Sequence, residues 1–420
     1  MIILSKSYLH KDIYYKLIII TIFFLLSFIS YTKNLLSKNK IEIKVIRYIK
    51  HKKFNKPNIY LKGKYLEYQK YVKLLKEGYF KNEIYHYNIF KPQISFVASV
   101  YNKEKYLTSF ITSIQNQNLK EFELIFVDDN STDNSIKIIN NFMKKDKRIK
   151  LIKNKKNMGT LFTRYNGAIY AKGEYIIFVD SDDIVLKEGI SNSYNYIKQK
   201  NLDMIEFNTI FEENNNTVYI SRRYYKYSKI IYQPILSYIF YYTKNKGLEL
   251  NTALWDKLTK REIVIKSFNF MGKEYLNKKI IIENDVIILF SLFQISNSFQ
   301  YIDEIGYYYC YENKDSITNT RYEPEKANQI IYSMFSNIEF LYEKTKYTNF
   351  DKYFCIYKLI QGYNRYKICF NYLNRGFEFI KNIFNNLLES NYISHENKLI
   401  IRNISNEIFM NNTFKKNNIF

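Results

Sequence analysis

Short apolar runs alternate with amphipathic segments between residues 94 and 207. Uninterrupted apolar runs of this length are typical of strands buried on both faces of a parallel sheet. The segments between them carry apolar residues at helical spacing, as in Leu107, Phe110, Ile111 and Ile114. The predicted strands are Ile94–Val100, Phe122–Val127, Ile149–Ile152, Tyr175–Val179 and Met204–Phe207, and Leu161–Ala171 and Lys187–Gln199 are predicted helices. This alternation predicts an α/β fold, a doubly wound and mostly parallel sheet with helices on both faces.

The first residues carry a different pattern. Leu17–Thr32 holds no charged residue and is bracketed by Lys16 and Lys33. A helix of this length spans roughly 24 Å, slightly less than a hydrocarbon core. The pattern predicts an N-terminal hydrophobic helix in segment 1–33 that serves as a single-pass membrane anchor at 17–32. A cleaved signal peptide is the alternative. Because lysines lie on both sides, the side of the membrane that the remainder occupies stays open.

Changes in residue composition and in the spacing of apolar residues divide the remainder of the chain into four further segments. Residues 34–91 are polar and rich in Lys and Tyr, which predicts a stem or extension. Residues 92–320 hold the strand and helix pattern and are predicted to form the catalytic domain. After Pro324 the spacing is helical, which predicts a C-terminal helical region at 321–410, with a polar tail at 411–420.

Composition narrows the classes of function. The formal net charge is +24, spread along the chain, and it favours attraction to membranes and phosphates. No aromatic and basic signature of nucleic-acid binding is present, so no nucleic-acid partner is expected. The three cysteines form no CxxC pair, which argues against a zinc site or a disulfide framework. The four histidines are scattered along the chain, which argues against histidine catalysis.

Polar clusters follow three of the predicted strands. They are Ser99–Asn102, Asp128–Ser131 and Asp180–Asp183. Parallel strands end at one edge of the sheet, where open α/β folds bind ligands. In an extended segment Asp180 and Asp182 would point the same way, with no Lys or Arg beside them in the sequence, an arrangement that suits a divalent cation. With Arg164 for phosphate charge, this mixture fits a nucleotide.

At these residues the chain resembles glycosyltransferase family 2, the inverting sugar-nucleotide transferases of GT-A fold. The resemblance covers roughly 92–320 and rests on six motifs in order. They are Ile94–Asn102, V-D-D-N-S-T-D at 127–133, N-x-G-x4-R-x-x-G at 157–167, G-E-Y-I-I-F-V-D-S-D-D at 173–183, W-D-K-L at 255–258, and the acidic group Glu283-Asn284-Asp285 before the Tyr-rich segment 307–318.

The resemblance implies roles for individual residues. Asp129 would bind the base, Ser99 and Tyr101 would line its pocket, and Arg164 would lie near base and phosphate. Asp180 and Asp182 look like the DxD pair, with Asp182 the expected metal ligand and Asp180 on metal or ribose. The nucleotide-sugar site would also include Asp128, which could instead be a helix N-terminal charge, and Ser181.

Two departures from the family pattern affect the acceptor side. The acidic pair that supplies the general base is interrupted here, so Asp285 is the expected base and Glu283 stays a candidate. Many members have Asn where this chain has Tyr165, and Asn166 could substitute. The implied activity is an inverting, Mg²⁺- or Mn²⁺-dependent hexosyl or N-acetylhexosaminyl transfer from a nucleotide-diphosphate sugar to an unknown glycan, lipid or protein.

Two other functions compete with this interpretation. One is a haloacid dehalogenase-type phosphatase, whose D-x-D pattern resembles Ile176–Ile184. Against it, position 184 is Ile and three strands with their own motifs come first. The other is a membrane-tethered protein that binds sugar nucleotides without transfer.

Trp255 is expected in the core rather than as an acceptor platform, and Lys257 could meet phosphate.

Overall fold

The computed structural model describes most of the chain beyond residue 58. The described residues are 59–78, 91–213, 217–220, 229–236, 239, 251–310, 324–344, 349–366, 369, 377–389 and 395–416. The expected anchor at 17–32 lies outside them and stays a prediction. Within these ranges no helix has both the length and the apolar character that a membrane crossing requires.

The chain divides into two compact units, Met1–Glu67 and Tyr68–Phe420, and the second contains the sheet. The strands are β1 Ile94–Val100, β2 Phe122–Asp128, β3 Ile149–Lys153, β4 Tyr175–Asp180, β5 Ile184–Val185, β6 Met204–Glu213, β7 Thr217–Ile220, β8 Ile231–Tyr232, β9 Lys257–Lys260 and β10 Ser298–Tyr309. The helices are α1 Ile59–Lys76, α2 Leu107–Gln115, α3 Ser135–Lys145, α4 Thr160–Tyr170, α5 Gly189–Lys200, α6 Arg261–Met271, α7 Lys273–Leu276, α8 Asn284–Ile295, α9 Pro324–Lys344, α10 Asn349–Tyr366, α11 Phe377–Glu389 and α12 His395–Lys416.

The sheet confirms the α/β class and has a parallel half and a mixed half. Its order is β3-β2-β1-β4-β9-β6-β10-β5, with β7 beside β6 and β8 beside β10. The first four strands of this order are parallel to one another, as predicted. Beyond them β9 lies antiparallel to both β4 and β6, and β6 is parallel to β10. The sheet is therefore rich in parallel pairs, as expected, but β9 interrupts it as an antiparallel strand. With the sequence K-L-T-K, β9 has too few apolar residues to be predicted as a strand.

Helices cover both faces of the parallel half. Along β1, Phe96 and Ala98 belong to one buried core and Val97 to the other. Side chains of a strand alternate between faces, so the continuous apolar runs reflect burial on both sides. Helices α2, α3 and α5 contribute to the first core, and α4, α6 and α8 to the second together with the C-terminal helices. The described C-terminal residues are helical, and α12 continues to Lys416, into the predicted polar tail.

A glycine brings α4 close to the sheet. A Cβ at Gly167 would lie 2.4 Å from Val97 Cγ1 and 3.0 Å from Val127 Cγ2. These contacts are too short for any side chain, so the N-x-G-x4-R-x-x-G motif ends in Gly because the helix rests directly on β1 and β2. The close approach sets the position of Arg164, one turn earlier on the same helix.

Glu123 supports the strand that carries Asp180. Its buried carboxylate accepts hydrogen bonds from Ser95 Oγ, from Lys150 Nζ and from the backbone N–H of Lys172 and Gly173, just before β4. Although burial alone would raise it, the pKa of Glu123 is lowered because these donors favour the ionised form.

We expect Glu123→Gln to lower the free energy of unfolding at pH 7 by about 1.5–3 kcal/mol, the range for hydrogen bonds to charged groups. Because the folded-state pKa lies below the ordinary value of 4.5, the contribution of the carboxylate is present above pH 4.5. It is lost as the pH falls through the lower folded-state pKa. Urea denaturation of both proteins between pH 3 and pH 7 measures this, and a stability gap that does not change with pH would contradict the assignment.

Candidate active site

The register of the sheet brings the three predicted clusters to one edge. Ser99 on β1 pairs with Val127 on one side and with Asp180 on the other. Val100 pairs with Asp128, and the backbone N–H of Asp129 donates to the Val100 carbonyl at 2.8 Å. The ends of β1, β2 and β4 therefore lie side by side, which confirms the predicted convergence of their polar loops.

Asp180 and Asp182 stand in a turn rather than in an extended segment. The backbone N–H of Asp183 donates to the carbonyl of Asp180 at 3.2 Å, which closes the turn. No Lys or Arg lies beside these two carboxylates in the sequence, but in the folded protein two cations contact them. Lys103 Nζ lies 2.6 Å from Asp182 Oδ2, and Arg164 Nη2 lies 3.0 Å from Asp180 Oδ1. The reason is that the loop after β1 and helix α4 both reach the end of β4.

Arg164 joins the two sides of the site. Its guanidinium is 4% exposed and donates from Nη2 to Asp180 and from Nη1 to Asn284 Oδ1, at 2.6 Å, and to Asp285. Asp180 ends β4, whereas Asn284 and Asp285 begin α8. Burial raises the pKa of Asp180, and nearby Asp182 and Asp285 add to the rise against the opposing effect of Arg164.

The carboxylates of the second cluster organise loops. Asp128 accepts from the backbone N–H of Ser131, which fits its alternative role as a local capping charge. Asp129 accepts from Asn154 Nδ2 and from the backbone N–H groups of Met158 and Gly159, each at 2.8 Å. Asp129 is 5% exposed, and its role in base binding stays a prediction.

The other predicted nucleotide-site residues differ in exposure. Tyr101 is 48% exposed at the end of β1. Ser99 Oγ is buried and has no hydrogen-bond partner among the residues that the structure describes. Ser181 is buried and donates from Oγ to the Ser99 carbonyl at 2.8 Å, so it ties β4 to β1. Of the three, Tyr101 presents the most surface to a ligand.

The departure at Tyr165 has a packing explanation. The ring of Tyr165 packs edge-on against Phe268, with ring centroids 5.5 Å apart, in the core beneath α4. Asn166 donates from Nδ2 to Asn154 Oδ1 at 2.9 Å. Asn154 in turn holds Asp129, so Asn166 acts on the loop of the second cluster rather than on the Arg164 cluster.

The two candidates for the base lie in different surroundings. Asp285 contacts Arg164 within the cluster and keeps 30% of its side chain exposed. Glu283 has a left-handed backbone, with φ of 51°, and its side chain is 11% exposed. Its Oε1 accepts from Arg365 Nη1 on α10 at 2.8 Å. The structure thus brings Asp285 into the Arg164 cluster and pairs Glu283 with Arg365.

A buried pair beneath the turn was missed from the sequence. Tyr307 OH donates to Asp183 Oδ2 at 2.8 Å and accepts from the backbone N–H of Asp180 at 3.1 Å. The N–H of Cys310 donates to Asp183 Oδ1. Burial raises the pKa of Asp183 well above its ordinary value, and the charges of Asp182 and Asp180 raise it further. In the sequence Tyr307 is only the first residue of the Tyr-rich segment 307–318, and the pairing of β10 with β5 brings it beneath the turn.

Trp255 and Lys257 both lie in the core. Trp255 is 7% exposed and stacks on Tyr307, with ring centroids 4.9 Å apart, as expected of a core residue. Lys257 is 2% exposed, and its Nζ contacts Asp256, Glu206 and the Ala253 carbonyl. The expectation that Lys257 could meet phosphate is wrong, because its amine is enclosed by two carboxylates.

The two carboxylates could hold a divalent cation whose remaining coordination positions are filled by phosphate oxygens and water. No group of three or more His, Cys, Asp or Glu side chains surrounds a metal position in the ranges that the structure describes. Mg²⁺ at nucleotide sites uses one or two carboxylates together with phosphate oxygens and water. Asp180 and Asp182 are such a pair, since their hard oxygen donors stand at the same turn.

A comparison of the sequence with models of protein families identifies the family of residues 95–261. The model of the family described as "Glycosyl transferase family 2" matches residues 95–261. Residues 95–261 belong to glycosyl transferase family 2. This family 2 domain contains the three polar clusters and Arg164, and it ends before Asp285, which the structure adds to the cluster.

Individual proteins resemble the family 2 domain. An uncharacterized glycosyltransferase of Haemophilus influenzae is 43% identical over 120 residues, 29% of this chain and 48% of that protein. The poly(ribitol-phosphate) beta-glucosyltransferase of Bacillus spizizenii is 40% identical over 115 residues, 27% of this chain and 18% of that protein. The chain thus spans about half the length, or less, of these relatives.

One solved structure aligns with much of the chain. S. aureus TarS 1-349 in complex with UDP is 17% identical and aligns with a TM-score of 0.43, over 76% of this chain and 88% of that chain.

Proposed function

We propose that this protein transfers a sugar from a nucleotide-diphosphate donor to an acceptor hydroxyl with inversion at the anomeric carbon. The observation that carries the proposal is the Arg164 cluster, in which one buried guanidinium joins Asp180 at the end of β4 to Asp285 at the start of α8. The family 2 domain contains the donor half of this cluster. The glycosyltransferase relatives support transfer as the reaction class.

The donor half lies along the ends of β1, β2 and β4. Tyr101 is exposed there, and Asp129 is held by the loop 154–159, so we assign the base and ribose to this part of the edge. The diphosphate belongs beside Asp180 and Asp182, where Lys103 and Arg164 supply positive charge. A Mg²⁺ or Mn²⁺ ion held by Asp182 and Asp180 would stabilise the diphosphate as leaving group.

The acceptor half lies at the start of α8. Asp285 is the base in this proposal, because its carboxylate stands in the cluster while that of Glu283 is held by Arg365. It would take the proton from the acceptor hydroxyl as that oxygen attacks the anomeric carbon. Attack opposite the leaving diphosphate, in a single displacement, inverts the configuration.

The proposal also covers the chemical class of the donor sugar and of the acceptor. One relative is named as a beta-glucosyltransferase acting on poly(ribitol-phosphate). We propose a hexosyl or N-acetylhexosaminyl donor and an acceptor that is a glycan, lipid or protein. A membrane location through an anchor at 17–32 also remains part of the proposal.

A panel of sugar nucleotides, scored for donor hydrolysis in the presence of Mn²⁺, tests the reaction class. We expect one or a few donors to release nucleoside diphosphate. Removal of the metal with EDTA should suppress this release. Binding of a donor by calorimetry without any turnover would favour the non-catalytic binding protein instead. Hydrolysis of simple phosphomonoesters would favour the phosphatase.

A further inference from the structure

Lys103 lies outside the family motifs, and the proposed function uses only its positive charge. It follows the Y-N pair that ends the first motif. Its amine lies 2.6 Å from Asp182 Oδ2, and the two side chains are 19% and 15% exposed. The contact is therefore a partly buried ion pair on the carboxylate that we expect to hold the metal.

The backbone of Lys103 is fixed, whereas its side chain is long. The backbone N–H donates to Ser135 Oγ at 2.8 Å, and the carbonyl accepts from the N–H of Tyr106 at 2.9 Å and of Leu107 at 3.2 Å. A lysine carries its charge on a flexible four-carbon stem. The amine can thus move by several ångströms while the loop stays in place.

The charges around Lys103 are unequal. Asp180, Asp182, Asp183 and Asp285 meet at this edge, and in the part of the chain that the structure describes Lys103 pairs with Asp182 and Arg164 pairs with Asp180 and Asp285. Arg164 is held by Asn284 as well as by two carboxylates, which leaves Lys103 as the more mobile cation.

A divalent cation and Lys103 would compete for Asp182. Two positive charges on one carboxylate repel each other strongly in a partly buried site. A metal at Asp182 would displace the amine, and the nearest strong acceptor would then be the diphosphate that arrives with the metal. There the amine would face the charge that grows on the leaving group.

We propose that Lys103 is an exchanging counter-ion, which neutralises Asp182 when no donor is bound and contacts the donor diphosphate when a divalent cation occupies Asp182. The inference rests on the proposed function, since it takes the diphosphate from it. It adds a positioning residue for the leaving group that stands outside the recognised motif.

The test uses inorganic diphosphate, because the nucleobase is unknown. Binding of Mn²⁺ to the diphosphate-free protein is followed by electron paramagnetic resonance, and diphosphate binding is measured by calorimetry with Mn²⁺ present. For Lys103→Met we expect about tenfold tighter Mn²⁺ and about tenfold weaker diphosphate. Lys105→Met removes the same charge from an exposed residue of the same loop and should change neither affinity.

The outcomes separate this inference from the proposed function. Equal Mn²⁺ affinity in the wild type and Lys103→Met overturns the inference and leaves the metal site standing. Mn²⁺ binding by Lys103→Met and not by the wild type supports the inference even if the wild type hydrolyses no donor. Failure of both to bind Mn²⁺ overturns the inference together with the metal assignment.

A second pair of variants covers a failure to fold. Lys103→Gln, checked by circular dichroism, is measured if Lys103→Met unfolds, and it should show the same opposite changes. Lys103→Arg keeps the charge and should bind Mn²⁺ no more tightly than the wild type. Tighter Mn²⁺ binding by Lys103→Arg would show that charge is not the cause and would overturn the inference.

Discussion

Replacing Asp285 with Asn is expected to lower the rate of sugar transfer by about 10²–10⁴-fold, the contribution typical of a positioned general base. Asn retains an oxygen that can accept from Arg164, so the cluster and donor binding should persist. The measurement is transfer or donor hydrolysis under saturating donor, with calorimetry of donor binding alongside.

Glu283→Gln is the matched control for Asp285→Asn. Glu283 lies two residues earlier, and its carboxylate pairs with Arg365 on α10. We expect Glu283→Gln to keep most of the activity and to lower stability modestly, through the weakened pair with Arg365. Loss of transfer in Glu283→Gln with activity retained in Asp285→Asn would show that Glu283 is the base.

Replacing Asp182 with Asn is expected to lower transfer by at least about 10³-fold, because stabilisation of the leaving diphosphate by a metal is worth several kcal/mol. The expected cause is lost Mn²⁺ binding, so metal affinity should fall together with the rate. Near-normal turnover with normal Mn²⁺ affinity would contradict the assignment of Asp182 as metal ligand.

The adjacent residue supplies the control for Asp182. Asp183 is buried beneath the turn, where burial and the charges of Asp182 and Asp180 raise its pKa. Asn resembles the neutral acid in shape, and Tyr307 OH can rotate to suit it. We therefore expect Asp183→Asn to keep Mn²⁺ binding and to reduce the rate far less than Asp182→Asn.

The sequence predicted the parallel half of the fold because buried strands leave an uninterrupted apolar signal. Tyr175–Val179 and Ile94–Val100 are examples, and both were located to within one residue of the observed strands. Once those strands are parallel, their polar ends must meet at one edge. The convergence of Ser99, Asp128 and Asp180 was therefore accessible without a structure.

The cations of the site were not accessible in the same way. Lys103 and Asp182 are 79 positions apart, and Arg164 and Asp285 are 121 apart. In a chain with 64 Lys and Arg residues, no composition argument distinguishes Lys103 from the others. Its pairing depends on where the loop after β1 passes the end of β4, which is a tertiary property.

The choice between Asp285 and Glu283 was open for a related reason. The interrupted group Glu283-Asn284-Asp285 gives two acidic residues at the start of one helix. Which of them faces the cluster depends on the left-handed backbone at Glu283 and on Arg365 of a distant helix. Neither feature has a local sequence signal that would have decided the question.

In the proposed transfer reaction, the bond that breaks is the one between the anomeric carbon and the diphosphate oxygen. The competing phosphatase would instead break a bond to phosphorus. The two reactions can release similar products from a sugar nucleotide when water is the acceptor, so the position of cleavage distinguishes them better than product release alone.

The most direct test is hydrolysis of an accepted donor in H₂¹⁸O with Mn²⁺, with both products analysed by mass spectrometry. We predict ¹⁸O in the released sugar at the anomeric position and unlabelled nucleoside diphosphate, analysed before the free sugar exchanges its anomeric oxygen with water. The Asp182→Asn protein, run in parallel, should yield neither product above background. Recovery of ¹⁸O in a phosphate group would contradict glycosyl transfer as the function of this protein.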